Sequence, residues 1–161
     1  MDDLILTVEN LTTAFDTEGG RVRAVDDVSF VLRKGRNLGI VGESGCGKSV
    51  TALSIMRLLP KPAGKILTGR IVFKGTDIVA LPAGDMHAVR GNQIAMIFQE
   101  PMTALNPVHT IGRQVSEIFH LHFPEMADSA VKKASLGMLQ KVGIPESPIS
   151  LSTPCVSPLP S

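Results

Sequence analysis

The sequence predicts an α/β fold in which a parallel β-sheet follows a smaller antiparallel β subdomain. Residues 37–41 form a short apolar run, which is typical of a strand buried on both faces of a parallel sheet. A glycine-rich stretch at 42–49 follows directly, and residues 50–59 then carry apolar side chains at helical spacing up to Pro60. The direct succession of strand, glycine-rich loop and helix indicates this fold class.

The other elements follow in chain order. Residues 4–11 alternate loosely and predict a strand, residues 16–20 predict a turn, and residues 22–32 predict a second strand antiparallel to the first. After the first helix, we expect a loop at 60–64 and a strand at 70–74. A connector with a short helix at 77–90 and a buried strand at 94–98 follow. Two helices at 110–122 and 129–142 come last. We expect the apolar strand at 94–98 to lie buried beside the strand at 37–41 and parallel to it.

The glycine-rich stretch matches a phosphate-binding loop. Residues 42–49 read Gly-Glu-Ser-Gly-Cys-Gly-Lys-Ser, which fits the pattern G-x-x-x-x-G-K-[ST] in full. The glycines allow the backbone to approach phosphate closely, and consecutive N–H groups form an anion-binding nest at the start of a helix. Lys48 supplies positive charge to the β- and γ-phosphates, and the Ser49 hydroxyl suits Mg²⁺. The alternative is a glycine-rich turn that only connects two elements.

Gln99 is a second candidate functional residue, because it follows the apolar run at 94–98. At the end of a strand beside the loop strand, its amide oxygen reaches a bound metal or an attacking water. The alternative is an ordinary polar residue before a loop that contains Pro101 and Pro107, and the residues alone favour neither interpretation.

The composition limits the classes of function. A chain of 161 residues with 43% hydrophobic residues suits one domain with a real core. The net charge of +1 gives no reason to expect nucleic acid as a partner. No apolar run approaches the length of a bilayer span, so we expect any membrane role to come through a partner. Cys46 and Cys155 lie far apart, which makes a disulfide framework improbable and favours a reducing compartment.

Residues 4–146 resemble the ATP-binding subunit of ABC transporters, and most closely the subfamily that imports dipeptides and oligopeptides. Residues 42–49 stand where that family has its Walker A loop, and Gln99 stands where it has the glutamine of its Q-loop. Residues 97–107, Ile-Phe-Gln-Glu-Pro-Met-Thr-Ala-Leu-Asn-Pro, are similar to the peptide-importer version of the Q-loop. Residues 24–30, Ala-Val-Asp-Asp-Val-Ser-Phe, resemble the strand before Walker A in those importers.

The resemblance implies a P-loop NTPase fold with an N-terminal antiparallel β subdomain and the start of a helical subdomain. It implies ATP binding by Phe15, Gly42, Glu43, Ser44, Gly45, Cys46, Gly47, Lys48, Ser49 and Val50. Catalytic roles fall to Lys48 and Gln99, and Mg²⁺ ligation to Ser49 and Gln99. Phe15 stands where the family places an aromatic ring against adenine, although it could equally be a core residue of the first strands. Val50 replaces a threonine found in many relatives.

The resemblance also implies partners and a location. Two ATP-binding subunits, identical or different, close head to tail around two ATP molecules and thereby move two permease subunits. In this chain the segment Glu100 to Pro107 and the helix from Thr110 would contact the permease, and a peptide-binding protein would be an indirect partner. The expected location is the cytoplasmic face of the inner or plasma membrane.

The chain departs from the family after residue 146. It has no signature of the type L-S-G-G-Q, no acidic strand ending in a Mg²⁺-binding aspartate, no catalytic glutamate and no later histidine. Residues 147–161 contain nine Ser or Pro among fifteen and no charge, so we expect them to be disordered. We therefore interpret 1–146 as the N-terminal part of a nucleotide-binding domain, an incomplete domain with a non-family tail. A proline-rich docking tail is the alternative.

Two other classes of function stay open at this level. A small-molecule kinase also uses a phosphate-binding loop, but residues 99–107 argue against it, and no lid arginines or acceptor site can be identified. A non-catalytic product, either a nucleotide-binding module that docks to transporter subunits or an inert remnant, is compatible with the departure after residue 146. Binding of ATP without turnover would favour this last class.

We predict weak or no ATP hydrolysis by this 161-residue chain on its own. The water-activating carboxylate and the signature loop of a partner would both be missing, so charge on the transferring phosphoryl group would be incompletely stabilised. Phosphate release from ATP–Mg²⁺ by the purified chain measures this directly. Steady hydrolysis that disappears in the Lys48→Ala variant would contradict the prediction.

Overall fold

The structure is a computed structural model that describes residues 3–99 and 105–144. The chain divides into two compact units, Met1–Ile94 and Ala95–Ser161, which are described separately. The predicted tail at 147–161 lies outside the described residues, as does most of the predicted permease contact, residues 100–104. No helix among the described residues is long and apolar enough to cross a membrane.

The first unit is built on a four-stranded antiparallel sheet. Strand β1 spans Leu4–Thr17, β2 spans Gly20–Arg33, β3 spans Gly64–Phe73 and β4 spans Thr76–Asp77, in the spatial order β2-β1-β3-β4. The predicted antiparallel pair at the start of the chain is confirmed, and both strands are longer than the alternation of apolar residues indicated. The predicted third strand begins six residues earlier than expected, because Gly64–Gly69 pairs with β1 as well.

Two of the register irregularities in this sheet lie at Ala24 and Gly69. Thr13 pairs with Val25 and Ala14 pairs with Arg23, so Ala24 of β2 has no residue opposite it in β1. Such a bulge leaves the extra residue unpaired and bends the strand. The second irregularity lies opposite Gly69, whose φ of +103° and close approach to the Leu11 backbone leave no room for a Cβ.

Helix α1 spans Lys48–Ile55 and lies against β1 and β2. The buried hydroxyls of Thr13 and Ser54 form a hydrogen bond of 2.9 Å between the helix and β1. The prediction extended this helix to residue 59, but it ends at Ile55 because Arg57 adopts a left-handed conformation with φ of +51°. The Arg57 guanidinium then donates to the Ile78 and Leu81 carbonyls, which fixes the chain after the helix.

The core of the first unit lies between the sheet and helix α2, which spans Ala83–Val89. Helix α2 contributes Met86, which is fully buried. The residues that form this core are Val8, Leu11, Val25, Ile71, Phe73, Ile78 and Met86. The predicted connector and short helix at 77–90 are therefore confirmed, and they cover the face of β1 and β3 that would otherwise expose apolar side chains.

Two predicted strands are wrong. Residues 37–41 and 95–98 have no strand structure, and Ile94 forms only an isolated bridge to Arg90. Val41 is 92% exposed and Ile97 is 95% exposed, so neither run is buried. A parallel strand needs hydrogen-bonding neighbours and covered faces, and neither run has a partner strand among residues 3–99 and 105–144. An apolar sequence supplies side chains that favour burial, but it does not supply the neighbouring strands that a sheet requires.

The second unit contains two helices that pack on each other. Helix α3 spans Ile111–His122 and α4 spans Asp128–Lys141, as the sequence predicted to within one residue at each end. Thr110 caps α3 by accepting a hydrogen bond from the Arg113 backbone N–H. The Ser116 and Ser135 hydroxyls lie 3.2 Å apart and link the helices.

Candidate functional site

The glycine-rich loop leads directly into α1, as the motif requires, although the run at 37–41 before it is not a strand. Gly47 occupies the position immediately before the helix with φ of +95°, and Gly45 has φ of +85°. The Gly47 carbonyl accepts hydrogen bonds from the Thr51 backbone N–H at 2.8 Å and from its hydroxyl at 3.0 Å. The first helical turn is thereby closed, and its free N–H groups point back toward the loop.

Gly47 is the most constrained residue of the loop. A Cβ built on Gly47 would lie 2.3 Å from the Ala24 carbonyl oxygen, and Gly47 is buried although the rest of the loop is largely exposed. Ala24 is the residue that the bulge in β2 leaves unpaired. The glycine that the motif requires for phosphate therefore also allows the loop to approach the antiparallel sheet.

Lys48 holds the two ends of the loop together. Its ammonium group donates to the Gly42 carbonyl at 2.7 Å and to the Glu43 carbonyl at 2.6 Å, and it lies 3.5 Å from the Cys46 sulfur. Among the described residues no carboxylate forms an ion pair with it. The cation is thus held beside the anion-binding nest by neutral acceptors, and its charge is not offset by an acidic side chain.

The remaining loop side chains fall into two groups. Glu43, Ser44, Cys46 and Ser49 are exposed, and the Ser49 hydroxyl lies in the first turn of α1, where a hard oxygen fits Mg²⁺. Val50 differs, because its partly buried side chain packs against the hydrophobic core. A contact of Val50 with phosphate would therefore involve its backbone N–H, and this role stays a prediction.

An apolar cleft adjoins the loop. It has a volume of about 340 Å³ and is bordered by Cys46, Gly47, Lys48 and Thr51 on the loop side. The other side consists of residues from β2 and from the run before the loop, namely Val28, Phe30, Leu38, Gly39, Ile40 and Val41. The exposed apolar run at 37–41 is therefore part of the same surface as the phosphate-binding loop.

Phe15 lies at the end of β1, where it pairs with Val22 on one side and Gly64 on the other. Side chains alternate along a strand, so Phe15 shares a face with Thr13, which contacts α1. Phe15 is half-buried and is not among the residues that form or cover the hydrophobic core. A Cβ built on Gly64 would lie 3.0 Å from the Phe15 ring, so the ring packs close to this glycine, and adenine binding by Phe15 stays a prediction.

The carboxylate next to this ring is fixed electrostatically. Asp16 accepts from Arg21 at 2.7 Å and from Lys65 at 2.7 Å, which joins β1 to β2 and to β3. The hydrogen bond from Arg21, followed by that from Lys65, lowers the pKa of Asp16 to about 2. Asp16 is therefore ionised throughout the neutral range, so the charge of the carboxylate beside Phe15 does not change with pH in that range.

Gln99 belongs to the second unit, whereas the loop and Phe15 belong to the first. It lies exposed in a bend rather than at the end of a buried strand, because residues 95–98 do not form one. The roles of Gln99 in metal binding and catalysis stay predictions.

The segment before α3 is held by a glutamine that sequence reasoning missed. Gln114 accepts from the Asn106 N–H at 2.8 Å and donates to the Asn106 and His109 carbonyls at 2.9 and 3.1 Å. The Asn106 side chain accepts from the Val108 N–H at 3.0 Å. Leu105 and Val108 remain exposed beside this network. The described end of the predicted permease contact, residues 105–107, thus has a fixed backbone with exposed apolar side chains.

Sequence reasoning also missed the residues that position the loop from the sheet. Thr13 and Ser54 lie at buried positions of β1 and α1, and Ala24 supplies the carbonyl that faces Gly47. The available signal was a threonine pair, Thr12 and Thr13, between the apolar residues Leu11 and Ala14. The identity of residue 24 does not predict a bulge, because a bulge depends on the register with the partner strand.

Comparisons with known proteins agree with this geometry. A family model described as ABC transporter matches residues 25–153. A probable peptide ABC transporter ATP-binding protein of Sinorhizobium fredii, y4tR, is 52% identical over 142 residues, which cover 88% of this chain and 42% of that protein. The dipeptide transport ATP-binding protein DppD of Bacillus subtilis is 51% identical with the same coverage. The chain thus spans about two fifths of the length of these curated relatives, 42% in both.

The solved structures confirm the predicted fold class. The dimeric structure of MJ0796, described as a bacterial ABC transporter cassette, matches with a TM-score of 0.70 and 21% identity over 84% of this chain and 56% of that one. A post-hydrolysis dimer of the same cassette, bound to ADP and Pi, matches with a TM-score of 0.68 and 20% identity, again over 84% of this chain and 56% of that one. At this level of identity the match concerns the fold.

We predict that Gly47→Ala lowers the free energy of unfolding by about 1–3 kcal/mol more than Gly45→Ala does. Both substitutions place a Cβ at positive φ, but only the one at Gly47 collides with a backbone carbonyl, whereas Gly45 has open space. The chain contains no Trp or Tyr, so urea unfolding is followed by far-UV circular dichroism. Equal losses for the two variants would show that the contact with Ala24 does not constrain the loop.

Proposed function

The chain belongs to the ABC transporter family, and on that premise we propose that it binds ATP with Mg²⁺ for an ATPase that powers the import of dipeptides or oligopeptides. The observation that carries the proposal is the loop itself. Gly47 precedes α1 at positive φ, and the Lys48 ammonium lies over the loop carbonyls without an acidic partner among the described residues. This arrangement presents N–H donors and one cation to a polyphosphate.

The loop residues would each make a different contact with ATP–Mg²⁺. Backbone N–H groups of 45–50 and the start of α1 would hold the β-phosphate, and Lys48 would exchange its carbonyl acceptors for β- and γ-phosphate oxygens. The Ser49 hydroxyl would ligate Mg²⁺, which when bound offsets negative charge on the phosphates. Phe15 would stack against adenine, and Gln99 would serve the metal and the attacking water. Lys48 and Gln99 are the proposed catalytic residues of this chain.

We propose two kinds of protein partner. A second ATP-binding subunit would complete the site, in line with the dimeric cassette that shares the fold. The permease subunits would contact Glu100 to Pro107 and helix α3, where residues 105–107 combine exposed apolar side chains with a backbone fixed by Gln114. The chain would then act at the cytoplasmic face of the membrane, with a peptide-binding protein as an indirect partner.

Peptides are the proposed solute because of the relatives. Two of them are named for peptide and dipeptide transport and are 52% and 51% identical to this chain. An oligopeptide transport ATP-binding protein of Bacillus subtilis, OppD, is 47% identical over 141 residues. Residues 97–107, which are similar to the peptide-importer Q-loop, support the same solute class.

We predict that the purified chain binds ATP–Mg²⁺ and that Lys48→Ala weakens the affinity by at least about tenfold. The substitution removes the one cation of the loop, and charge-assisted contacts to phosphate are among the strong ones. Isothermal titration calorimetry measures both affinities. Lys34→Ala is the matched control, because Lys34 is an exposed lysine of the same unit outside the loop.

Two outcomes would count against this proposal. Failure of the wild-type chain to bind ATP–Mg²⁺ while its circular dichroism shows a folded protein would contradict the nucleotide site. Equal affinity in the wild-type and Lys48→Ala chains would place the binding elsewhere.

We predict that Phe15→Ala weakens ATP binding by about tenfold but leaves inorganic pyrophosphate binding unchanged. Pyrophosphate lacks the base, so loss of a stacking ring affects only ATP. Phe15→Tyr keeps the ring and should keep the ATP affinity. A parallel loss for ATP and pyrophosphate, together with a lower free energy of unfolding, would assign Phe15 to the core.

A further inference from the structure

A second cluster of basic side chains lines a cleft in the first unit. The cleft has a volume of about 240 Å³, and none of its lining residues borders the cleft beside the phosphate-binding loop. Its basic residues are Arg57, Lys61 and Arg90, and the others are Leu59, Gly64, Ile66, Val79 and Ala83. None of these lining residues is acidic, so positive charge accumulates here without an internal counterion in the cleft wall.

Arg57 is held in place by the backbone around it. It adopts φ of +51°, and one of its terminal nitrogens, Nη1, donates to the Ile78 and Leu81 carbonyls at 3.1 and 2.5 Å. These bonds occupy Nη1 and fix the plane of the guanidinium. No ion pair engages Arg57 within the part of the chain that the structure describes, so its other N–H groups keep donor capacity.

Arg90 carries a donor with no acceptor. Its Nε is shielded from solvent and has no hydrogen-bond partner among residues 3–99 and 105–144. A buried polar donor without a partner is unfavourable, and an ionised one is more so. The backbone of Arg90 is fixed at the end of α2 by a hydrogen bond of 3.0 Å to the Met86 carbonyl. Arg90 also lines the cleft, so an anion bound there would bring acceptor oxygens close to this guanidinium group.

We propose that Arg57, Lys61 and Arg90 form a second anion site, which binds a small oxyanion through phosphate or carboxylate oxygens. Guanidinium groups present paired N–H donors that match the oxygens of both ligands, and the exposed Lys61 adds a charge at the rim. The volume of about 240 Å³ lies below the range of pockets for drug-sized ligands, roughly 300–1,000 Å³, which favours a phosphate, a pyrophosphate or a short polycarboxylate over a nucleotide.

This cleft is distinct from the phosphate-binding part of the proposed nucleotide site, although its lining residue Gly64 pairs with Phe15, the proposed adenine contact. It shares no lining residue with the cleft beside the loop, and none of its basic residues belongs to the phosphate-binding motif. The two sites can therefore be separated by substituting Lys48, which removes the cation of the loop and leaves the cleft untouched.

Residue-resolved titration tests the proposal. The ¹⁵N-labelled full chain carrying Lys48→Ala is titrated with inorganic phosphate, pyrophosphate and citrate at constant ionic strength set with sodium chloride. We expect saturable shifts of the Gly64, Ala83 and Arg90 amide signals with at least one of these anions. Comparison of the pyrophosphate and citrate arms distinguishes a phosphate from a carboxylate ligand.

Substitutions then assign the binding to the cleft. Arg90→Gln should weaken the apparent affinity by about tenfold, and Lys61→Gln by about threefold, since each removes one cationic donor. Lys34→Gln, an exposed lysine outside the cleft, should leave the affinity unchanged. Because the Lys61 side chain is exposed, its substitution reports on binding even if Arg90→Gln disturbs the end of α2.

The proposal is overturned by any of three results. The amide signals of the cleft do not shift in a saturable way with any of the three anions. The shifts are the same when sodium chloride alone raises the ionic strength. The affinity is the same in the Lys61→Gln and Lys34→Gln chains.

Discussion

The approach of Gly47 to the Ala24 carbonyl is the constraint on which the candidate site depends. The bulge in β2 leaves Ala24 unpaired, and only a residue without a Cβ can lie against its carbonyl. The start of α1 is thereby placed on the sheet, and the hydrogen bond between Thr13 and Ser54 fixes the rest of the helix on the same face. The antiparallel sheet thus positions the phosphate-binding loop, although no residue of that sheet belongs to the sequence motif.

Lys48 at the start of α1 and Arg57 just after its end are held in the same way. Each is a cation that donates to backbone carbonyls, Lys48 to those of Gly42 and Glu43 and Arg57 to those of Ile78 and Leu81. Carbonyl acceptors fix the direction of a cation without neutralising it, whereas a carboxylate partner would do both. The unit therefore keeps positive charge at defined places, which suits the recognition of anions.

The features that could be predicted from the sequence are the local ones. The motif at 42–49 and the helical spacing around Thr110 depend on residues near each other in the chain, and both are found where expected. The bulge at Ala24 depends on the register with β1, and the end of α1 at Ile55 goes with Arg57, which bonds to the distant Ile78 and Leu81 carbonyls, so neither could be predicted from nearby residues. The limit of prediction from sequence is clearest at residues 37–41 and 94–98. Their apolar composition predicts a buried strand, but they do not pair into a sheet among the described residues.

The ion pairs of Asp16 have a consequence for the aromatic ring beside them. Arg21 and Lys65 pair with Asp16 immediately after Phe15 and lower the pKa of Asp16 to about 2, so its carboxylate stays ionised throughout the neutral range. Exposed ion pairs add little to stability, and β1 is held to its neighbours at this point mainly by the backbone ladder, in which Phe15 pairs with Val22 and Gly64. A flat ligand that stacks on Phe15 meets a surface whose strands are already held together, and less conformational entropy is lost on binding than on a frayed strand end.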